Sequence, residues 1–137
     1  YTTDYTDREK PLYFMGLGDP PGILDAIFYG VDMFDCVMPT RISRMGSAFT
    51  YSGKINIKNK KYSNDFTPLE KNCTCSTCLN YTKAYLKHLY KSKEILSSML
   101  LTIHNLKFMF DIVEKSRKSI EEGKFKQFRE DFKINYQ

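Results

Sequence analysis

The chain has 137 residues, 42% hydrophobic and 15% aromatic, enough for one globular core and too few for several domains. Its net charge of +5 and pI near 9.0 favour an acidic partner such as nucleic acid, although an excess this modest also occurs on ordinary enzymes. No apolar stretch reads as a membrane span, and the opening YTTDYTDREK lacks the basic start and apolar segment of a signal peptide, so a cytoplasmic protein with no membrane association is expected. The chain begins at Tyr1 without a methionine and reads as a piece of a longer product.

Residues 11–15, PLYFM, are short, aromatic and apolar, and they stop at Gly16-Leu17-Gly18, the pattern of a buried strand ending in a tight turn. Asp19 is a good N-cap and Pro20 suits the first turn of a helix whose Ile23, Leu24, Ile27 and Phe28 share a face before Gly30 ends it. A second buried strand is expected over 31–38, closed by Pro39. Strand, helix and strand within about thirty residues form a βαβ unit with parallel strands. A parallel pair needs neighbours and cover on both faces, and the rest of the chain offers no second βα repeat, so further strands upstream of Tyr1 are expected unless the fold is unusual.

After Arg44 the alternation of Ala48 to Tyr51 and Lys54 to Ile57 around Ser52-Gly53 predicts an antiparallel hairpin. Residues 58–68 read as a lysine-rich loop, and 79–91 as one helix. A long helical pattern over 94–122 runs through Ile95, Leu96, Met99, Leu100, Ile103, Leu106, Met109, Phe110 and Val113, with a break expected near Thr102. Gly123 ends it, and Phe125, Phe128 and Phe132 mark a C-terminal amphipathic helix.

Three of the four cysteines, Cys73, Cys75 and Cys78, lie within six residues, where thiolates repel one another unless a soft cation sits among them. Zinc is the economical choice, against a redox CxxC pair or unrelated thiols. Of the two histidines, His104 is favoured over His88 as fourth ligand, because it would tie the cysteine knuckle to the final long helix. Four protein ligands leave no open position, so the metal would be structural.

Two carboxylates interrupt the apolar run GVDMFDCVMPTR. Asp32 sits at the strand's start and reads as a turn carboxylate; Asp35 lies nearer the C-terminal end, where parallel α/β folds assemble their active sites, and is picked as the reactive acid. Gly16-Leu17-Gly18 reads as a tight connection more readily than as a phosphate turn. Arg41 and Arg44 leave the strand end in a loop and suit an anionic or nucleic-acid substrate, or simply face water. Lys58, Lys60 and Lys61 have the same two readings.

GVDMFDCVMPTR, the CxCxxC cluster and TIHNL, with LYFMGLG, AYLKHL and EILSSMLLTIHNL, resemble the C-terminal part of the tRNA-guanine transglycosylase family, also called queuine tRNA-ribosyltransferases. The resemblance implies an α/β fold, the C-terminal portion of a (β/α)8 TIM barrel with its last two strands and an inserted zinc-binding subdomain. Residues 1–44 would be the last βαβ unit with the nucleophile, 45–102 the zinc-binding subdomain, and 103–137 the histidine ligand and C-terminal helices packing on the barrel.

By the same resemblance Asp35 is the nucleophile, Tyr13, Met15 and Gly16 line the purine pocket, and Arg41 and Arg44 hold the tRNA anticodon loop. Cys73, Cys75, Cys78 and His104 bind a structural Zn2+. The implied activity is that of a pentosyltransferase, exchanging guanine at the wobble position of GUN-anticodon tRNAs for a 7-deazaguanine through a covalent aspartyl-ribosyl intermediate. GKINIKN and KEILSSMLLTIHNL point to 7-aminomethyl-7-deazaguanine rather than queuine as the incoming base. A homodimer is implied, with Tyr81, Tyr85 and His88 near its interface. The family's upstream half, including its general acid/base aspartate, has no counterpart here, so this chain alone is expected to be inactive. A non-catalytic zinc-containing RNA-binding or partner subunit, and an independent zinc-stabilised helical domain, are the alternatives.

Overall fold

The computed structural model describes residues 5–7 and 9–136. Strand β1 (Tyr13–Met15) and strand β2 (Met33–Asp35) pair in parallel, Tyr13 opposite Met33 and Met15 opposite Asp35, around helix α1 (Pro20–Phe28). Asp19 caps α1 by accepting from the Gly22 amide at 2.8 Å, and Ile23 and Leu24 turn into the core. The expected βαβ unit is therefore present.

Its strands differ from expectation in length and burial. β2 covers only Met33–Asp35 of the expected 31–38, and Met38 instead opens helix α2 (Met38–Arg44), with Pro39 in its first turn rather than closing a strand. Proline cannot supply a ladder N–H, but its fixed φ fits a helix start. Tyr13, Phe14, Met15 and Met33 are exposed. Side chains alternate along strands, so Tyr13, Met15, Met33 and Asp35 share one open face while Phe34 packs against the core.

Strands β3 (Ser47–Thr50) and β4 (Gly53–Asn56) form the expected antiparallel hairpin, turning through Tyr51-Ser52. Residues 58–68 are not simply a loop: Lys60–Tyr62 makes a 3-10 turn that buries Tyr62. The helix expected over 79–91 divides into α3 (Ser76–Asn80) and α4 (Lys83–Lys91), where the Thr82 hydroxyl caps α4 by accepting from the Tyr85 amide at 3.3 Å. Helix α6 (Phe125–Asn135) ends the chain as predicted.

Helix α5 (Ile95–Glu121) runs 27 residues without the break expected near Thr102. It contains neither Gly nor Pro, and its buried positions, Ser97, Leu100, Leu101, His104, Asn105, Phe108, Met109, Ile112 and Ser116, keep helical spacing straight through Thr102. By length and composition α5 passes for a membrane span, which the sequence reading had not allowed. Its inner face instead joins two cores. One gathers Ala48, Ile57, Leu69, Leu86, Leu100 and Leu101; the other gathers Ile23, Leu24, Ile42, Phe49, Phe108 and Ile112.

Asn105 stitches these parts together. Fully buried, it accepts from the Phe49 amide at 2.9 Å and donates toward the Pro39 carbonyl at 3.0 Å, the Ser43 hydroxyl at 2.9 Å and the Ser47 carbonyl at 3.2 Å. One side chain thus sets α2 and β3 against α5. Asn105→Ala is expected to cost about 3 kcal/mol in urea unfolding, because it leaves several buried polar groups unpaired. Asn105→Asp should be at least as damaging, since it turns a donor into an acceptor facing three acceptors.

At the far edge Asp25 of α1 accepts from Arg129 at 2.6 Å and Lys133 at 2.9 Å on α6, and Arg129 lies over the Phe28 ring. Burial works against the Asp25 carboxylate, but the hydrogen bonds from Lys133 and Arg129 outweigh it and hold the pKa below the ordinary 3.8. A lowered folded-state value stabilises above the ordinary pKa, and that contribution is lost as pH falls through the lowered one. Asp25→Asn is expected to cost about 0.5–1 kcal/mol near neutral pH, the pair being partly solvent-screened, and nothing at pH well below 3.8; chemical denaturation at both pH values checks this.

Candidate functional site

Two sites converge on this scaffold. In the first, Cys73 precedes α3, Cys75 caps its start, Cys78 lies within it, and His104 reaches across from the middle of α5. The His104 Nδ1 is 3.6, 3.7 and 3.3 Å from the sulfurs of Cys73, Cys75 and Cys78, and all four donor atoms lie within 4.8 Å of one another. A tetrahedral ion with ordinary zinc–sulfur and zinc–nitrogen lengths would separate sulfur from nitrogen by about 3.6 Å. The cysteines are free thiols, so the cluster fits a metal and not a disulfide.

His104 is oriented by its other nitrogen, Nε2, which lies 2.8 Å from the Phe49 carbonyl and donates to it, leaving Nδ1 as the metal donor. Burial opposes ionisation of Cys75, but its contact with the His104 imidazole and the hydrogen bond from the Cys78 amide prevail and bring its pKa down to about 6. Burial and the neighbouring thiolate push Cys73 and Cys78 the other way. Without a cation only one thiolate is comfortable; a divalent ion relieves that conflict for all three.

His88 is exposed on α4, and the cluster contains His104 instead, as the sequence reading preferred. His104 stands in the middle of α5, because that helix runs unbroken past Thr102.

The second site surrounds Asp35, the last residue of β2. Its carboxylate is exposed on the open sheet face and accepts a hydrogen bond from the Tyr13 hydroxyl. That hydrogen bond, then burial and the nearby Asp35 charge, raise the Tyr13 pKa. Asp35 also borders a cleft of about 590 Å3 with Asp32, Phe34, Cys36 and Phe110. Asp32 serves the backbone: its Oδ2 accepts from the Leu12 amide at 2.7 Å, the turn role expected for it.

The connections around Asp35 are tight. Gly16, at φ 85°, donates its amide to the Asp35 carbonyl at 2.9 Å. A Cβ on Gly18 would come within 2.5 Å of the Cys36 Cβ, so only glycine fits that crossing. Met15 shares the open face with Tyr13 and Asp35. Arg41 and Arg44 are exposed on α2, one helical turn apart, and not in a loop as expected. Asn105 was missed by sequence reasoning, although a polar residue beside His104 in an apolar helix was a signal.

The structure defines a mixed α/β unit with a Cys3His cluster that could hold a metal ion and a carboxylate at the carboxyl end of a parallel strand. The family model described as queuine tRNA-ribosyltransferase matches residues 1–137. The queuine tRNA-ribosyltransferase of Caldanaerobacter subterraneus subsp. tengcongensis is 47% identical over 136 residues, 99% of this chain and 36% of that protein. The one of Francisella tularensis subsp. novicida is 50% identical over 136 residues, 99% of this chain and 37% of that protein. The chain belongs to the queuine tRNA-ribosyltransferase family, and it spans little more than a third of the length of these relatives.

The cluster makes a direct prediction. Purified chain is expected to carry about one metal ion, and a strong chelator should lower its unfolding temperature. His104→Ala should reduce bound metal several-fold while His88→Ala leaves it unchanged, as read by elemental analysis.

Proposed function

We propose that this chain is the nucleophile-bearing, zinc-binding C-terminal portion of a tRNA-guanine transglycosylase, a pentosyltransferase that replaces the wobble guanine of GUN-anticodon tRNAs with a 7-deazaguanine. The observation that carries this reading is Asp35, exposed at the carboxyl end of a parallel strand and hydrogen-bonded by Tyr13, within a chain of this family. A buried carboxylate there would be a packing element; an open one is available to react.

On this reading the Asp35 carboxylate attacks C1′ of the flipped-out guanosine, forming a C1′–O ester as the C1′–N9 bond breaks and guanine leaves with a proton from a general acid. N9 of the incoming base then displaces Asp35 and gives up its proton, so two inversions retain configuration. Tyr13 holds the carboxylate on the open face, and Met15 and Gly16 border the space for the purine. Arg41 and Arg44, side by side on α2, grip the anticodon loop.

Cys73, Cys75, Cys78 and His104 hold zinc, which supplies a structural cross-link between the cysteine knuckle and α5. The exposed sheet face and the apolar outer stripe of α5, Ile95, Met99, Ile103, Leu106 and Phe110, are the surfaces on which the rest of a (β/α)8 barrel would close. A homodimer using the stacked Tyr81–Tyr85 pair and the exposed His88, a cytoplasmic setting, and 7-aminomethyl-7-deazaguanine as incoming base complete the proposal.

Incubated with labelled guanine and a GUN-loop RNA, the chain alone should give no incorporation. Adding the N-terminal part of the Francisella relative should restore exchange and a covalent RNA adduct on denaturing gels. Asp35→Asn should remove the adduct and lower exchange at least about a thousandfold. An undiminished adduct in that variant refutes the assignment.

A further inference from the structure

The four side chains of the cysteine-histidine cluster are not equally hidden. His104 is fully buried and Cys75 and Cys78 are 5% and 9% exposed, whereas Cys73 is only half-buried. A cleft of about 540 Å3 opens beside it, bordered by Tyr51 at the hairpin turn, Asn72, and Lys107, Asp111 and Lys115 on α5. Of the four cluster residues, Cys73 alone is among those lining this cleft.

The cleft carries as many cations as acids, Lys107 and Lys115 against Glu70 and Asp111, and each is engaged. Lys107 pairs with Asp111, and the Glu70 carboxylate accepts from the Tyr51 amide at 2.9 Å. The Lys115 ammonium donates to the Tyr51 hydroxyl at 2.6 Å and lies 4.2 Å from the centre of its ring, tying the hairpin turn to α5. A rim of this kind neither traps an ion nor repels a small uncharged molecule.

We propose that Cys73 is the entry point for oxidation of the metal cluster: a small hydroperoxide reaches it through this cleft, and a Cys73–Cys78 disulfide then forms with loss of the ion, an extension that rests on the zinc-binding reading above. The Cys73 thiolate attacks one peroxide oxygen, the O–O bond breaks, and the departing hydroxide takes a proton to become water. The sulfur is thereby oxidised by two electrons to a sulfenic acid while the peroxide is reduced. The Cys78 thiolate next attacks that sulfur, forming the S–S bond and expelling the sulfenic oxygen as hydroxide, which is protonated to a second water.

The second thiol is at hand, because all four donor atoms lie within 4.8 Å of one another. Cys78 suits the step better than Cys75. A Cys73–Cys75 link would close over a single residue, and the Cys75 sulfur is held at the start of α3 by the Cys78 amide at 3.3 Å. With two sulfurs consumed, Cys75 and His104 are too few donors for a closed structural site.

Stepwise oxidation of the full chain, loaded with zinc, by hydrogen peroxide tests this. Released zinc is read with a chromogenic chelator, and each cysteine by alkylation and peptide mass mapping. In the presence of dimedone the adduct should form on Cys73 at least about tenfold faster than on Cys75 or Cys78. Without the trap, one zinc should leave per Cys73–Cys78 disulfide, and a thiol reductant with added zinc should restore the site. Asn72→Trp, which narrows the cleft beside Cys73, should slow both Cys73 oxidation and zinc release at least about threefold while leaving zinc content unchanged.

A first adduct on Cys75 or Cys78, zinc release ahead of any change at Cys73, or equal rates in Asn72→Trp would overturn the proposal. So would zinc release that follows oxidation of Cys36 alone, a thiol outside the cluster. Zinc content before oxidant is added reports on the metal reading itself. A chain that takes up no zinc removes that reading and this proposal together; a loaded chain that oxidises in another order removes only this proposal.

Discussion

Two adjacent side chains at the centre of α5, His104 and Asn105, are the constraint on which the rest of the structure depends. Both are fully buried in a helix that also meets two hydrophobic cores. His104 points one nitrogen into the cysteine cluster and the other at the Phe49 carbonyl; Asn105 takes the Phe49 amide and reaches the Pro39 and Ser47 carbonyls. The backbone of one residue in β3 is thereby held on both sides, and the metal ligands share a rigid frame with the helix that bears Arg41 and Arg44. Buried polar groups of this kind stabilise only when every partner is present, so this frame is specific as well as tight.

That frame separates two kinds of surface. The inner face of α5 is saturated, whereas its outer stripe and the face of the β1–β2 pair are apolar and open. A parallel pair exposed in this way is unusual for a complete sheet, because parallel strands are ordinarily covered on both sides. The openness agrees with a chain that covers about a third of the length of its relatives, and it leaves Asp35 displayed at an edge. Charge is divided as sharply as apolar surface: it is paired around α1 and α6, and, among the described residues, concentrated without ion pairs between α2 and α4.

Much of this was legible beforehand. The Asp19 cap, the βαβ order, the hairpin, the C-terminal helix and the Cys73, Cys75, Cys78 and His104 set follow from local spacing and donor chemistry. What misled was hydrophobicity used alone on α5. Ile95, Met99, Ile103, Leu106 and Phe110 look like a core stripe and lie outside, while Ser97, His104 and Asn105 look polar and lie within. Hydrogen bonds to other elements reverse the sign that transfer energies assign to such residues. The same limit hid the concentration of charge between α2 and α4, because lysines as far apart in sequence as 58 and 91 meet only once α4 folds back on the hairpin.

By itself, then, the sequence determined the elements whose causes are local: a capping carboxylate, a proline that suits a helix start, a turn dipeptide, and thiols too close together to ionise without a cation. The tertiary structure alone decided which face of α5 is inside, that α5 runs unbroken, that Arg41 and Arg44 ride on a helix, and where positive charge collects. The physical reason is that burial and electrostatics depend on distances through space. Those distances are set by Asn105, by the metal cluster and by packing between elements far apart along the chain.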